Sequence, residues 1–169
     1  MQTLLYLCVF LTAVNAAPAF FSFSPAVGSG SGSSYLVEGM GRITAVKIWE
    51  NYNGHIRGIQ LRYGFAWAAV AGYITGEPLE MELDEGEFFV QISGKYAHYI
   101  QSLQLVTNRG RSITAGQPSG GSFNMYGGHP QAELRFLSGR VHGGLTSLAS
   151  HWAVLDKEDI PNNSYTTSA

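Results

Sequence analysis

From Arg42 onward, patterns in which apolar side chains recur at every second position dominate, the period of a β-strand with one buried face and not of a helix. Ile59, Leu61 and Tyr63 alternate with Gly58, Gln60 and Arg62, while Leu79, Met81 and Leu83 alternate with Glu80 and Glu82. The same reading predicts strands over 43–49, 88–93, 102–107, 134–137 and 145–154. Turn sequences separate them: Asn53-Gly54, Asp84-Glu85-Gly86, Asn108-Arg109-Gly110, Gln117-Pro118-Ser119-Gly120 and Gly127-Gly128-His129-Pro130. These residues tolerate positive φ or pre-set a bend. No stretch combines a sustained helical period with caps, so an all-β domain is expected. Gly58-Ile59-Gln60-Leu61-Arg62-Tyr63 is echoed by Ser102-Leu103-Gln104-Leu105-Val106-Thr107, a hint of repeated sheet units.

The 169 residues match one domain in length. The apolar run over 4–14, followed by Val14-Asn15-Ala16, reads as a signal peptide over 1–16 with cleavage after Ala16. That run is shorter than the roughly 20 residues needed to span a bilayer, and no later segment is long enough, so no transmembrane segment is expected. The sole cysteine, Cys8, lies in the leader, which leaves the mature chain without a disulfide, a thiol nucleophile or a thiolate ligand. Residues 17–26 read as an N-terminal extension, 27–155 as the domain, and 156–169 as a flexible polar tail carrying the sequon at Asn162.

A formal net charge of −2 gives no concentrated excess of Lys and Arg, which argues against a nucleic-acid partner or a charged membrane surface. Enzymatic chemistry needs a nucleophile with a base, paired acids or a metal, and none stands out at a useful spacing. A dispersed hydrolase site is the weakest of three readings. Histidines at 55, 98, 129, 142 and 151 are scattered. His151, beside Trp152, reads as a packed histidine, whereas His142, in a glycine loop, is more open to function. Glu80, Glu82, Asp84, Glu85 and Glu87 read as a solvated face and loop that does not converge enough oxygens for calcium. The glycine-serine run over 28–34 has the composition of a linker. It lacks the Lys-Ser/Thr ending of a phosphate loop, but it would let backbone N–H groups approach a ligand oxygen closely.

Three segments in order, Gly28-Ser29-Gly30-Ser31-Gly32, Ile92-Ser93-Gly94-Lys95-Tyr96, and Leu134-Arg135-Phe136-Leu137-Ser138-Gly139-Arg140 with His151-Trp152, resemble the jacalin-related lectins in their animal zymogen-granule branch. The resemblance covers about residues 27–154. It implies a β-prism I fold of three four-stranded antiparallel sheets with pseudo-threefold symmetry, no cofactor and no metal. It also implies a shallow carbohydrate site at one end, walled by a glycine loop at 30–34, a recognition loop at 95–98 and a binding loop at 141–146. The residues it carries to the site are Ser31, Gly32, Lys95, Tyr96, Val141, His142, Gly144 and Thr146, with Arg140 and Arg42 as neighbouring cations.

The family's binding loop runs Gly-x-x-x-Asp, but here His142 holds the glycine position and Thr146 the aspartate position. A carboxylate can accept from two adjacent sugar hydroxyls, whereas a threonine hydroxyl is one neutral acceptor. That exchange argues against the usual mannose recognition. Ser33 stands where some granule relatives carry lysine, which reduces the basic character of the rim. The resemblance thus points to a secreted lectin of the extracellular space or secretory-granule lumen, with glycans, glycoproteins, proteoglycans or microbial surface polysaccharides as partners. The alternative is a granule or matrix interaction protein on the same fold whose sugar binding is lost.

Overall fold

The computed structural model describes residues 20–52 and 54–155. The expected leader with Cys8, the Asn162 sequon and the polar tail lie outside the described residues.

Three antiparallel hairpins frame the molecule: β3 (Ile43–Glu50) with β4 (Ile56–Tyr63), β8 (Phe89–Tyr96) with β9 (Ile100–Thr107), and β12 (Glu133–Val141) with β13 (Leu145–Val154). Each hairpin shifts register twice, once near its open end and once beside its turn. The two echoing segments fall on β4 and β9, whose buried and half-buried positions follow an identical order. The sequence echo is therefore the trace of a threefold pseudo-repeat.

Each hairpin gains flanking strands. β1 (Phe20–Gly28) and β2 (Ser33–Val37) complete the sheet β1-β13-β12-β2, and β10 (Ser112–Gly116) and β11 (Gly121–Tyr126) complete β10-β9-β8-β11. In the remaining sheet β7 (Leu79–Glu82) pairs with β3, while two short pieces, β5 (Ala66–Trp67) and β6 (Ala71–Gly72), both pair with β4. The expected three four-stranded sheets are thus present, with one outer strand split in two. Among the described residues there is no helix, and so none long and apolar enough to cross a membrane.

The sheet begins at Phe20, within the segment read as an extension. β1 is an edge strand, the position where a proline can be held without losing a ladder bond, and its pairing slips around Pro25 between Ser24 and Val27. Ser33 and Ser34, the end of the run whose composition is that of a linker, open β2, and Ser33–Val37 pairs with Val141–Leu137.

The inner faces of the three sheets meet in one core containing Ile48, Ile59, Leu61, Ile92, Leu103, Leu105, Leu137, Leu148 and Trp152. Trp152 is fully buried, and its indole N–H donates to Ser150 Oγ at 2.9 Å, so its polar edge is satisfied inside the core. At the open end of the hairpins, Glu133 is buried between Arg42 (2.8 Å) and Arg135 (3.2 Å). Burial pushes its carboxyl up, partly offset by the two guanidinium groups.

The acidic set is only partly a solvated face. Glu80 and Glu82 pair with Lys47 and Arg62, and Asp84 with Arg109. Glu87 instead is buried and accepts from Thr107 Oγ1 at 2.7 Å, from the Asp84 N–H at 2.9 Å and from Arg111 at 2.7 Å. Burial alone would raise its pKa, but these donors and the Arg111 and Arg109 charges hold it below the ordinary carboxylate value. Period-two patterning assigned Glu87 to solvent because it cannot see a loop that folds back under two arginines.

Candidate functional site

Strands β1 and β2 lie on opposite sides of the β12–β13 hairpin, so the chain joining them must cross over that hairpin's turn. This crossing explains the glycine-serine run. A Cβ on Gly28 would lie 2.2 Å from the Thr146 carbonyl oxygen, and one on Gly32 would lie 2.2 Å from that of Val141. Only glycine lets the crossing chain settle this close, and both residues also hold positive φ, 102° and 89°.

Hydrogen bonds lock the crossing in place. Gly30 N–H donates to Thr146 O at 3.2 Å, the Thr146 hydroxyl donates to Ser31 O, and Arg140 donates to Gly32 O at 2.8 Å. The Ser29 hydroxyl reaches the His98 carbonyl at 2.7 Å and ties in the β8–β9 turn. The binding-loop turn closes on itself through His142 N–H to Gly144 O at 2.9 Å. Three separated segments therefore meet at one end of the prism.

The β3–β4 turn supplies a fourth wall that sequence reasoning missed. His55 stacks face to face on Tyr99 at 3.9 Å and 9°, and His98 meets Tyr99 edge-on at 4.6 Å. Arg57 donates to the Gly143 carbonyl and lies over the Tyr73 ring. Burial, helped by the charges of Arg57 and His98, keeps His55 below the ordinary histidine value despite its contact with the Gly143 carbonyl. The hairpin echo holds the missing signal: the register that aligns Gly58 with Ser102 also aligns His55 with Tyr99.

Of the expected site residues, the structure brings together Ser31, Gly32, Val141, His142, Gly144 and Thr146. Gly32 and His142 are exposed, whereas Gly144 and Thr146 are buried. The Thr146 hydroxyl is engaged with Ser31, so this residue staples two loops together and does not face an incoming ligand. Lys95 does not join the rim. It lies on the outer face of β8 and donates to Ser122 on β11 at 2.8 Å. Tyr96 packs inward, against Phe123 at 6.3 Å and over Gly121. The register shift between Lys95 and Tyr96, which sequence spacing cannot reveal, sets both directions. Arg42, placed near the rim by the sequence reading, sits at the opposite end beside Glu133 because it precedes β3 at the hairpin's open end. Arg140 does flank the crossing loop.

The N–H groups of Ser31, Gly32 and Gly143 donate to no protein acceptor among the described residues. With Tyr99 and the exposed imidazoles of His98 and His142, they form a rim rich in donors. Such a rim can hold oxygen-bearing ligands. No group of three or more His, Cys, Asp or Glu suited to a metal occurs among the described residues. His151 stacks on Phe136 at 4.0 Å and bonds Ser138 Oγ at 2.9 Å, a packed histidine remote from the rim.

Comparison with known proteins agrees with this architecture. The jacalin-like lectin domain family model matches residues 24–151. Zymogen granule membrane protein 16 of Rattus norvegicus is 36% identical over 152 residues, covering 88% of this chain and 90% of the rat protein. The Homo sapiens protein of the same name is 38% identical over 136 residues, 79% of this chain and 81% of its own. Among solved structures, a prostate-specific WGA16 glycoprotein lectin superposes with a TM-score of 0.71 at 28% identity, covering 80% of this chain and all of that one.

Proposed function

The chain belongs to the jacalin-like lectin domain family, and from that premise we propose that it holds a glycan on the donor-rich rim where its glycine loop crosses the last hairpin. It is a carbohydrate-binding lectin, not an enzyme. The observation that carries the reading is the set of unpaired main-chain N–H groups at Ser31, Gly32 and Gly143, held open by loops bonded to one another. Main-chain donors fixed before binding incur little ordering cost when they donate to a sugar oxygen.

In this reading Tyr99, stiffened by His55, presents a ring edge and a hydroxyl beside Gly143, while His98 and His142 line the open side. Thr146 sets the specificity by what it withholds. A carboxylate in its place could take two sugar hydroxyls, whereas this hydroxyl is turned to Ser31. The site therefore favours ligands that offer acceptors over mannose-type diols that need one. The partners are glycans or glycoproteins met outside the cell or in the lumen of a secretory granule after export by the leader, a reading supported by its likeness to a protein named for the zymogen granule.

The buried Thr146 also favours a second reading, in which the same prism is an interaction protein that no longer binds sugar. An array of neutral and sulfated glycans separates the two. Saturable binding supports the lectin site, and an array with no saturable signal leaves the interaction protein.

A further inference from the structure

The outer face of the sheet β10-β9-β8-β11 carries a trough of about 310 Å³, separate from the loop rim. Its walls come from all four strands: Thr114 on β10, Ser102 and Gln104 on β9, Ser93 and Lys95 on β8, and Ser122 on β11. Register explains the depression. One row across the sheet reads Gly116, Ser102, Lys95, Ser122, and the next Thr114, Gln104, Ser93, Asn124. Lys95 is thus the one long side chain in a row of glycine and serines, and every neighbour in the second row ends in a hydroxyl or an amide.

Charge on this face is arranged differently from charge on the sheet containing β3 and β4. There Lys47 pairs with Glu80 and Arg62 with Glu82, and both cations lie over Trp67. Such cross-strand pairing is the ordinary way a sheet accommodates exposed cations. The two rows around the trough contain no carboxylate, and Lys95 makes no ion pair among the described residues; its bond goes to the neutral Ser122 hydroxyl. A lone ammonium set among hydroxyl and amide groups, in a hollow larger than one pyranose ring, matches a sugar that carries its own negative charge.

We propose that this trough is a second saccharide site, specific for a pyranose bearing a carboxylate, with Lys95 taking the carboxylate and Gln104, Thr114, Ser93 and Ser102 the ring hydroxyls. The site goes beyond the loop rim and does not depend on it. Lys95, which sequence similarity carries to the rim, acts here on the sheet face.

The test is a titration of the isotope-labelled full chain with sodium glucuronate and, separately, with glucose, followed by amide NMR. Glucuronate shifts the amides of Ser93, Ser102, Gln104 and Thr114, and glucose shifts them about ten-fold more weakly, the loss expected for one charge-assisted contact. Lys95→Met, a change on the outer face that leaves the core untouched, removes the preference for glucuronate. No response in these amides up to about 50 mM glucuronate, equal responses to the two sugars, or an unchanged preference in Lys95→Met each overturns the site. Ser31, Gly32 and Gly143 report the rim independently, so failure of the rim and failure of the trough give different spectra.

Discussion

Replacing Gly32 by alanine tests how tightly the glycine loop is laid on the last hairpin. At φ 89° an L-residue incurs a left-handed penalty of about 1–2 kcal/mol. Its Cβ would also lie 2.2 Å from Val141 O and 2.7 Å from His142 Cβ, so the two loops must part. An overlap of this kind costs about 1–3 kcal/mol. Together Gly32→Ala should lose about 3 kcal/mol, which for a chain this long lowers Tm by about 9 °C. Gly30→Ala supplies the control. It shares a positive φ, 71°, but nothing lies within 4 Å of its added Cβ, so it should lose only the backbone part, about 1 kcal/mol or about 3 °C. Calorimetric melting of both variants isolates the contact between loops. Equal losses, within about 0.5 kcal/mol, would refute the packing on which the rim depends.

Thr146→Val removes the donor to Ser31 O and should lose about 1–2 kcal/mol in denaturant melts, with any glycan affinity falling alongside. Thr146→Asp should bring no gain for methyl α-mannoside by titration calorimetry, because the side chain is buried against a carbonyl oxygen; a large gain would mean the loop opens easily. Glu87 has a folded pKa below its ordinary 4.5, so the stability it contributes is complete above that pH and fades as pH drops through the folded value. Glu87→Gln should therefore destabilise at pH 7 and flatten the acid limb below about pH 4.5, as followed by Tm against pH. His55→Phe should preserve glycan binding and His55→Ala should weaken it, because the stack on Tyr99 needs a ring and not an imidazole charge.

The hairpins were the legible part of the fold. Their strands bury one face deeply enough for Ile59, Leu61, Leu103 and Leu105 to impose a period of two on the sequence. β10 and β11 went unread because each buries only two side chains, Ile113 with Ala115 and Phe123 with Met125, between glycine turns. β1 and β2 were hidden by composition: serine, proline and glycine satisfy an edge strand as readily as a linker. At the rim, family resemblance located the crossing loop and the last turn, whose glycines are needed for close approach. It misplaced Lys95, Tyr96 and Arg42, since one register shift reverses a side chain's face and position in a hairpin decides its end of the prism. His55, Arg57 and Tyr99 come from turns whose meeting is a tertiary event, visible in sequence only to a reader who carries the internal repeat through the turns.

The most direct measurement is a crystal structure of the protein with the tightest ligand from a glycan array. The account predicts sugar oxygens within hydrogen-bond distance of the Ser31, Gly32 and Gly143 N–H groups, with Tyr99 alongside and Thr146 still turned to Ser31. A sugar bound away from these amides, or one that pulls the glycine loop off the last hairpin to reach Thr146, would contradict it.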